Sequence, residues 1–213
     1  EMRPLNVPTT VFTGGSGLLG GAFRRLAPDA RYPSSAELDV SCAESVDAWL
    51  DAAPVSLVIH AAAFTSPPKI DQDPSRAIAT NIVGTANLAR WCLVHHVPLV
   101  YISTDYVFKG DKGRYTEDDA VMPVNRYAWS KLGGECAARM LPEHLIIRTS
   151  FGPDVFPYPK AFIDQWTSRQ GVSETARQMV ALIEREARVT VHIGGTQRSG
   201  LEVAQSLDPA KAI

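Results

Sequence analysis

Between Thr9 and Leu26 an apolar run, TTVFT, passes without a break into the glycine-rich TGGSGLLG of Thr13 to Gly20. The chain then continues into a helix-compatible stretch, Leu18 to Leu26. A strand that turns through glycines directly into a helix leaves few folds open. It is the start of a βαβ unit whose helix N-terminus offers free N–H groups to a phosphate. Gly14 falls where the chain must turn out of the strand, Gly17 where a Cβ would block a pyrophosphate, and Gly20 where the helix must approach the sheet. Ser16 and Leu18 complete the expected cofactor-binding loop. Both G-x-G-x-x-G (Gly15, Gly17, Gly20) and G-x-x-G-x-x-G (Gly14, Gly17, Gly20) are satisfied, and the second spacing is the informative one. A bare glycine loop is most often just a turn; its strand-loop-helix setting is what predicts dinucleotide binding.

Further β-rich runs recur at Leu57 to Ala61, Leu99 to Ser103, Leu145 to Thr149 and Val189 to Ile193. Helical patterns at Ala43 to Ala52, Ser75 to His95, Tyr127 to Met140, Thr175 to Ala187 and Gly200 to Leu207 accompany them. Strands that are apolar throughout, rather than alternating, fit a sheet covered on both faces. The fold class expected is α/β, a Rossmann-like doubly wound parallel sheet with its strand order left open. Residues 1–150 are read as the NAD(P)-binding domain. Residues 151–213 are read as a small, shortened substrate-binding portion plus a final strand and helix, not an independent domain. The proline-dense GPDVFPYP, Gly152 to Pro159, is expected to be an extended crossover, followed by a small helical cap with one strand of its own.

Lys+Arg 21 against Asp+Glu 23 gives a net charge of −2, so no basic field is available to hold a nucleic acid. No apolar run reaches the ~20 residues needed to cross a bilayer, and EMRPLNVPTT lacks an apolar leader core, so no membrane partner and a cytoplasmic location are expected. Cys42, Cys92 and Cys136 are odd in number and widely spaced, which predicts reduced, mostly buried thiols rather than disulfides or zinc. His60, at a strand end, and His95-His96, at a helix end, are expected to pack or cap rather than ligate.

The choice between NADP and NAD falls at the end of the second strand, where an acid pairs with ribose hydroxyls and a base accepts a 2′-phosphate. The local sequence, Asp29-Ala-Arg-Tyr-Pro-Ser-Ser, places no clear acid there. Arg31 with Ser34 and Ser35 is the expected phosphate site, and Arg24 and Arg25 on the first helix are alternatives. NADP is therefore favoured, with NAD kept open.

Ser103-Thr-Asp-Tyr-Val-Phe108 sits at the C-terminal end of an apolar strand, where open α/β sheets place ligands. Tyr127 and Lys131 follow on a helix with i, i+4 spacing and so share one face. A phenol titrates near ~10 and needs a nearby cation to act on a carbonyl at neutral pH, which Lys131 supplies. Thr104 can hydrogen-bond the same carbonyl oxygen.

Taken together, TGGSGLLG, HAAAFT (His60 to Thr65), Asn81, YISTDYVFKG (Tyr101 to Gly110), PVNRYAWSKLGGE (Pro123 to Glu135) and LIIRTSFG (Leu145 to Gly152) resemble the extended short-chain dehydrogenase/reductases, and within them the dTDP-4-dehydrorhamnose reductase branch. The resemblance implies a Rossmann fold, NADP (or NAD) and a nucleotide-sugar substrate carrying a keto group. It implies catalytic roles for Thr104, Tyr127 and Lys131, with Lys131 also anchoring the cofactor ribose. It further implies that Asp39 and Val40 lie by the adenine, that Ala61, Ala62 and Ala63 let the cofactor approach, and that Asn81 ties its helix to the active-site strand. Thr65, Asp105 and Trp166 are substrate candidates; a turn cap is the alternative for Asp105 and packing the alternative for Trp166. Lys160, Asp164, Gln165, Thr167 and Arg169 would complete a reduced pocket, because the segment after Arg148 is shorter than the family pattern. The metal-linked dimer contact of that branch has no acidic match, so no metal is expected. Helix pairs flanking the sheet often form dimers in the superfamily, so a homodimer is one candidate assembly and the oligomeric state is left open. The alternatives are an epimerase or dehydratase, or a non-catalytic NADP-binding subunit of the kind found in methionine adenosyltransferase assemblies.

Overall fold

A computed structural model describes residues 4–208; Glu1 to Arg3 of the opening segment and the last five residues lie outside the described residues. The chain opens with β1 (Thr10–Thr13) and α1 (Leu18–Leu26) and continues through α2 (Ala43–Asp51) and β2 (Leu57–His60). A run of helix follows: α3 (Pro67–Gln72), α4 (Pro74–Ala77), a π-helical turn over Ile78–Val83, and α5 (Gly84–His95). Then come β3 (Leu99–Ser103), a 3-10 turn at Asp105–Val107, α6 (Arg126–Ala138) and β4 (His144–Thr149). The last third holds β5 (Phe151–Gly152), β6 (Trp166–Thr167), β7 (Gln170–Gly171), α7 (Val172–Glu184), β8 (Thr190–Ile193), β9 (Arg198–Ser199) and α8 (Gly200–Leu207).

Each of the five apolar runs is a strand of one sheet, ordered β1-β2-β3-β4-β8 with every neighbour parallel. Alternate residues of each strand enter opposite cores. Phe12, Ile59, Val100, Ile102 and Ile147 are buried with Phe23 of α1 and Met179 and Ile183 of α7. Val11, Val58, Leu99, Tyr101 and Ile146 are buried with Leu50 of α2, Leu88 and Trp91 of α5, and Ala138 of α6. Both strand faces are thus covered by helices, which is why the strands read as unbroken apolar runs.

The expected second strand is reduced to one bridged position, Arg31 beside Val11. Phe12 N donates to Arg31 O and Arg31 N to Thr10 O, each at 2.8 Å. Pro28 and Pro33 bracket this stretch and cannot donate to a ladder, so the pairing stops there. The chain therefore leaves β1 on one side and returns as β2 on the other. That reversal is the switch point at which such sheets bind ligands.

The proline-dense crossover is irregular, and beyond it the Phe162 and Gln165 carbonyls accept from Leu201 N and Gly200 N at the start of α8. β8 pairs with β4 and α7 packs against α1, so both join the main body, while α8 packs on β9 of the separate β6-β9 pair. Among the described residues, the short pairs β5-β7 and β6-β9 form separate two-stranded sheets outside the five-stranded one. The expectation of mostly buried thiols holds for Cys92, whereas Cys42 is half-buried and Cys136 exposed. Among the described residues no helix is long and apolar enough to cross a membrane.

Candidate active site

The loops at the C-terminal ends of β1, β2 and β3 meet above the switch point. Gly14 has φ +80°, and a Cβ there would lie 2.6 Å from Ala62 N, so the β1 loop is pressed against the β2 end. Ala61 N donates to Thr13 O and Ala62 N to Thr13 Oγ1, which fixes the two loops together. Gly17 caps α1 with no side chain satisfying the first turn, leaving donors for an anion. Gly20 abuts Gly15 Cα, where a Cβ would lie 2.5 Å away; its smallness serves the loop rather than contact with the sheet. Glycine-lined space and unfilled helix donors are what a dinucleotide pyrophosphate requires, and the residues present fit one.

Arg31 does not serve this loop. Its Nη2 donates to Pro54 O at 2.8 Å and its guanidinium lies over Trp49 at 4.9 Å, at the opposite, N-terminal end of β2. Strand alternation explains this: Tyr32 turns toward Phe12, so Arg31 must turn to the α2 side. Ser34 is occupied as well, both its N and its Oγ donating to Glu37 Oε2 at 2.8 Å. Arg25 reaches Ser173 Oγ on α7. Arg24 remains: it lies 4.4 Å over the Tyr32 ring, with Nη2 3.3 Å from where a Gly15 Cβ would stand. Asp39 accepts from Ser41 N and Oγ within its own turn, while Val40 packs on Gly84 of α5.

Asn125 caps α6 through Ala128 N at 2.8 Å and starts the helix that presents Tyr127 and Lys131. Burial pushes the Tyr127 phenol up to about 12, and the Thr104 hydroxyl beside it pulls the other way. Thr104 Oγ1 makes only long bonds, 3.2 Å from Tyr106 N and 3.3 Å to Asp105 Oδ1, and is free to exchange them for a ligand. Burial brings Lys131 down to about 7, against the opposing pull of Glu135, and its Nζ lies 4.3 Å from the Tyr101 ring centre. Burial raises the Asp105 carboxyl above its usual range. The structure therefore brings Thr104, Asp105 and Tyr127 together, with Lys131 one turn along α6 and its ammonium over the Tyr101 ring.

Two residues do more than their sequence positions suggested. Asn81, inside the π-helical turn, accepts from Phe64 N and donates to Phe64 O and Ser130 Oγ, joining the β2 loop to α6. Such a turn re-aims one side chain out of the helical repeat, a feature frequent at functional sites. His60, completely buried, bridges Thr13 Oγ1 at 2.7 Å and Thr85 Oγ1 at 3.0 Å. Thr85 donates its own hydrogen to Asn81 O, so His60 Nε2 is the donor and Nδ1 the acceptor, a neutral imidazole.

Burial lowers His60 to about 3, with the Lys131 charge adding to the effect. The unfolded chain then binds one more proton than the folded one between pH ~6.5 and the folded value. Stability is full above pH ~6.5 and falls as pH drops through this window, by up to ~1.4 kcal/mol per pH unit. Thermal unfolding from pH 7 to pH 4 is expected to show a steeper loss for the wild type than for His60→Gln. Parallel slopes would show that His60 titrates normally.

Trp166 is 63% exposed and lines an open cavity of about 640 Å³ with Arg114, Thr196 and Gln197, whose walls do not include the trio. Arg114 and Gln197 are joined by a hydrogen bond from Arg114 Nε at 3.3 Å; neither stood out in the sequence. Thr65 is exposed beyond the β2 loop, and Arg169 packs against Gly152. Among the described residues no group of three or more His, Cys, Asp or Glu is gathered as a metal site needs.

The family model described as the RmlD substrate binding domain matches residues 9–179. The dTDP-4-dehydrorhamnose reductase of Aggregatibacter actinomycetemcomitans is 35% identical over 148 residues, covering 66% of this chain and 50% of that protein. Methionine adenosyltransferase 2 subunit beta of Rattus norvegicus is 25% identical over 232 residues, covering 91% of this chain and 70% of that protein. The crystal structure of the dTDP-4-dehydrorhamnose reductase of Bacillus anthracis in complex with NADP superposes with a TM-score of 0.84 at 26% identity, covering 93% of this chain and 79% of that one. The chain spans about half the length of the curated reductases it matches.

Proposed function

Because this chain belongs to the family of the RmlD substrate binding domain, we propose that it is an NADP(H)-preferring reductase of a keto group on a nucleotide-activated sugar. The observation that carries this reading is the Thr104 hydroxyl beside the Tyr127 phenol, with Lys131 buried one turn further along the same helix and a glycine loop whose helix donors are left open. A reduced nicotinamide held there supplies the hydride. Tyr127 donates its proton to the carbonyl oxygen, and Thr104 steadies that oxygen with a second hydrogen bond. Lys131 offsets the charge left on the phenol and anchors the cofactor ribose. The pyrophosphate would rest on Gly14, Ser16, Gly17, Leu18 and Gly20, with Ala61, Ala62 and Ala63 giving room for the ribose. Thr65, Asp105 and Trp166 are assigned to the substrate, Trp166 with Arg114 and Gln197 toward its nucleotide end. Loss of reduced-cofactor fluorescence on adding a 4-keto nucleotide sugar tests the reading; binding without oxidation over a broad keto-sugar panel would count against it.

The NADP preference rests on Arg24, which among the described residues has no carboxylate partner and stands between the phosphate loop and Tyr32. Arg24→Ala is expected to weaken NADPH by roughly 10–100-fold, the worth of a charge-assisted bond, and to leave NADH unchanged. Arg31→Ala should leave the ratio intact. Fluorescence titrations measure both, and equal losses for the two nucleotides in Arg24→Ala would remove Arg24 from this role.

The 91% of the chain matched by methionine adenosyltransferase 2 subunit beta favours a second reading, a nucleotide-binding subunit without turnover. Tyr127 beside Thr104 supports the enzyme reading, since a purely binding module has no use for the two together. A stable partner with cofactor-dependent assembly and no turnover would reverse that order.

A further inference from the structure

Glu135 lies one helical turn beyond Lys131 on α6, yet it is completely buried. Its Oε1 accepts from Ser103 Oγ at 2.6 Å and Arg148 Nε at 2.9 Å, and its Oε2 accepts from Arg148 Nη2 at 2.9 Å. Ser103 ends β3 and immediately precedes Thr104, and Arg148 stands beside it in register on β4. One carboxylate thus joins the helix carrying Tyr127 and Lys131 to the strand end carrying Thr104. Taking an ion pair into a dry interior is costly, and apolar side chains of similar volume would often hold the same elements at least as well. Packing alone does not account for the charge.

We propose that Glu135 is a positioning residue of the active site: through Ser103 it sets Thr104 against Tyr127, and its negative charge keeps the buried Lys131 cationic. This rests on the reductase reading, which needs a charged Lys131. The ion pair is oriented for the task, with its carboxylate on Lys131's own helix and its guanidinium away on β4. Among the described residues, none of the other titratable groups packed around Lys131 supplies a negative charge. His60 from β2 is held neutral by burial, and burial keeps the phenols of Tyr101 on β3 and Tyr127 on α6 protonated. Asp105, on the turn packed against α6, faces Tyr127, and burial moves it toward its neutral form. Arg139, 4.0 Å from Glu135, adds only a further positive charge.

A ¹³Cε NMR titration of lysine-labelled protein, with the Lys131 signal assigned by its loss in Lys131→Met, reads the effect without substrate. Glu135→Gln keeps an acceptor for Ser103 and removes the charge. The Lys131 midpoint is expected to fall by about one pH unit, tenfold in proton affinity, and Glu135→Asp should restore most of it. Ser103→Ala should leave the midpoint in place and lower kcat about tenfold at constant KM. An unmoved midpoint in folded Glu135→Gln overturns the proposal, as does wild-type kcat in Ser103→Ala. Should Glu135→Gln fail to fold, the double variant Glu135→Gln/Arg148→Gln leaves no unpaired guanidinium, and the Lys131 midpoint should still fall, by less than in the single variant. A lowered midpoint in a protein whose wild type shows no turnover would support Glu135's hold on Lys131 and overturn the reductase reading instead.

Discussion

Tyr127→Phe is expected to lower kcat by about 10²–10⁴-fold, the usual worth of a well-placed proton donor, with NADPH binding unchanged. The substitution removes one oxygen from a half-buried ring that packs edge-on to Tyr106, and the ring itself remains. The glycine loop and Arg24 are untouched, so the cofactor should still bind. Neither neighbouring hydroxyl can donate in its place: Thr104 is a poor acid, and Tyr101 spends its hydroxyl on Lys131 O at 3.0 Å. Steady-state rates beside fluorescence titration decide the matter. A kcat within tenfold of the wild type would mean that the proton comes from elsewhere, and parallel losses of rate and affinity would mean that the ring is structural.

Gly14→Ala should remove cofactor binding and much of the stability together. Alanine at φ +80° is strained, and its Cβ would sit 2.6 Å from Ala62 N and 2.8 Å from Ala61 C, both backbone atoms of the strand end and unable to swing aside. Either the β1 loop or the β2 end must move. A loss of about 2–4 kcal/mol follows from strain and collision combined, or roughly 4–16 °C in Tm for a chain of this size. Gly21→Ala is the control: a Cβ there meets nothing within 4 Å, and the residue is helical. It should be neutral or slightly stabilising. Calorimetry with NADPH titration separates the two, and a Gly14→Ala protein that binds cofactor normally would show that the loop relaxes at little cost.

The strands were legible because each is covered by helices on both faces and therefore written as unbroken apolar residues; α1 and α8 have the bounds their patterns predicted. Tyr127 and Lys131 were legible from i, i+4 spacing in the right chain order. The direction of Arg31 was not, because it depends on which face of β1 its neighbour Tyr32 takes, a fact of tertiary packing. The π-helical turn around Asn81 was hidden inside what reads as one continuous helix from Ser75 to His95. Glu135 reads as an ordinary polar helical residue until Ser103 and Arg148, far from it in sequence, are seen to converge on it.

The pairing of α1 with α7 has a consequence for how the protein is made. The apolar side of α1 is finished by residue 26, but the helix that covers it ends only at Glu184. At synthesis rates of about 5–20 residues per second, Leu19 and Phe23 wait roughly 8–30 s for Met179 and Ile183. Throughout that interval the growing chain displays the apolar side of α1 without its cover. Overproduction is therefore when this protein is most exposed to aggregation, and slower growth or added chaperone should raise the soluble yield without altering the folded molecule.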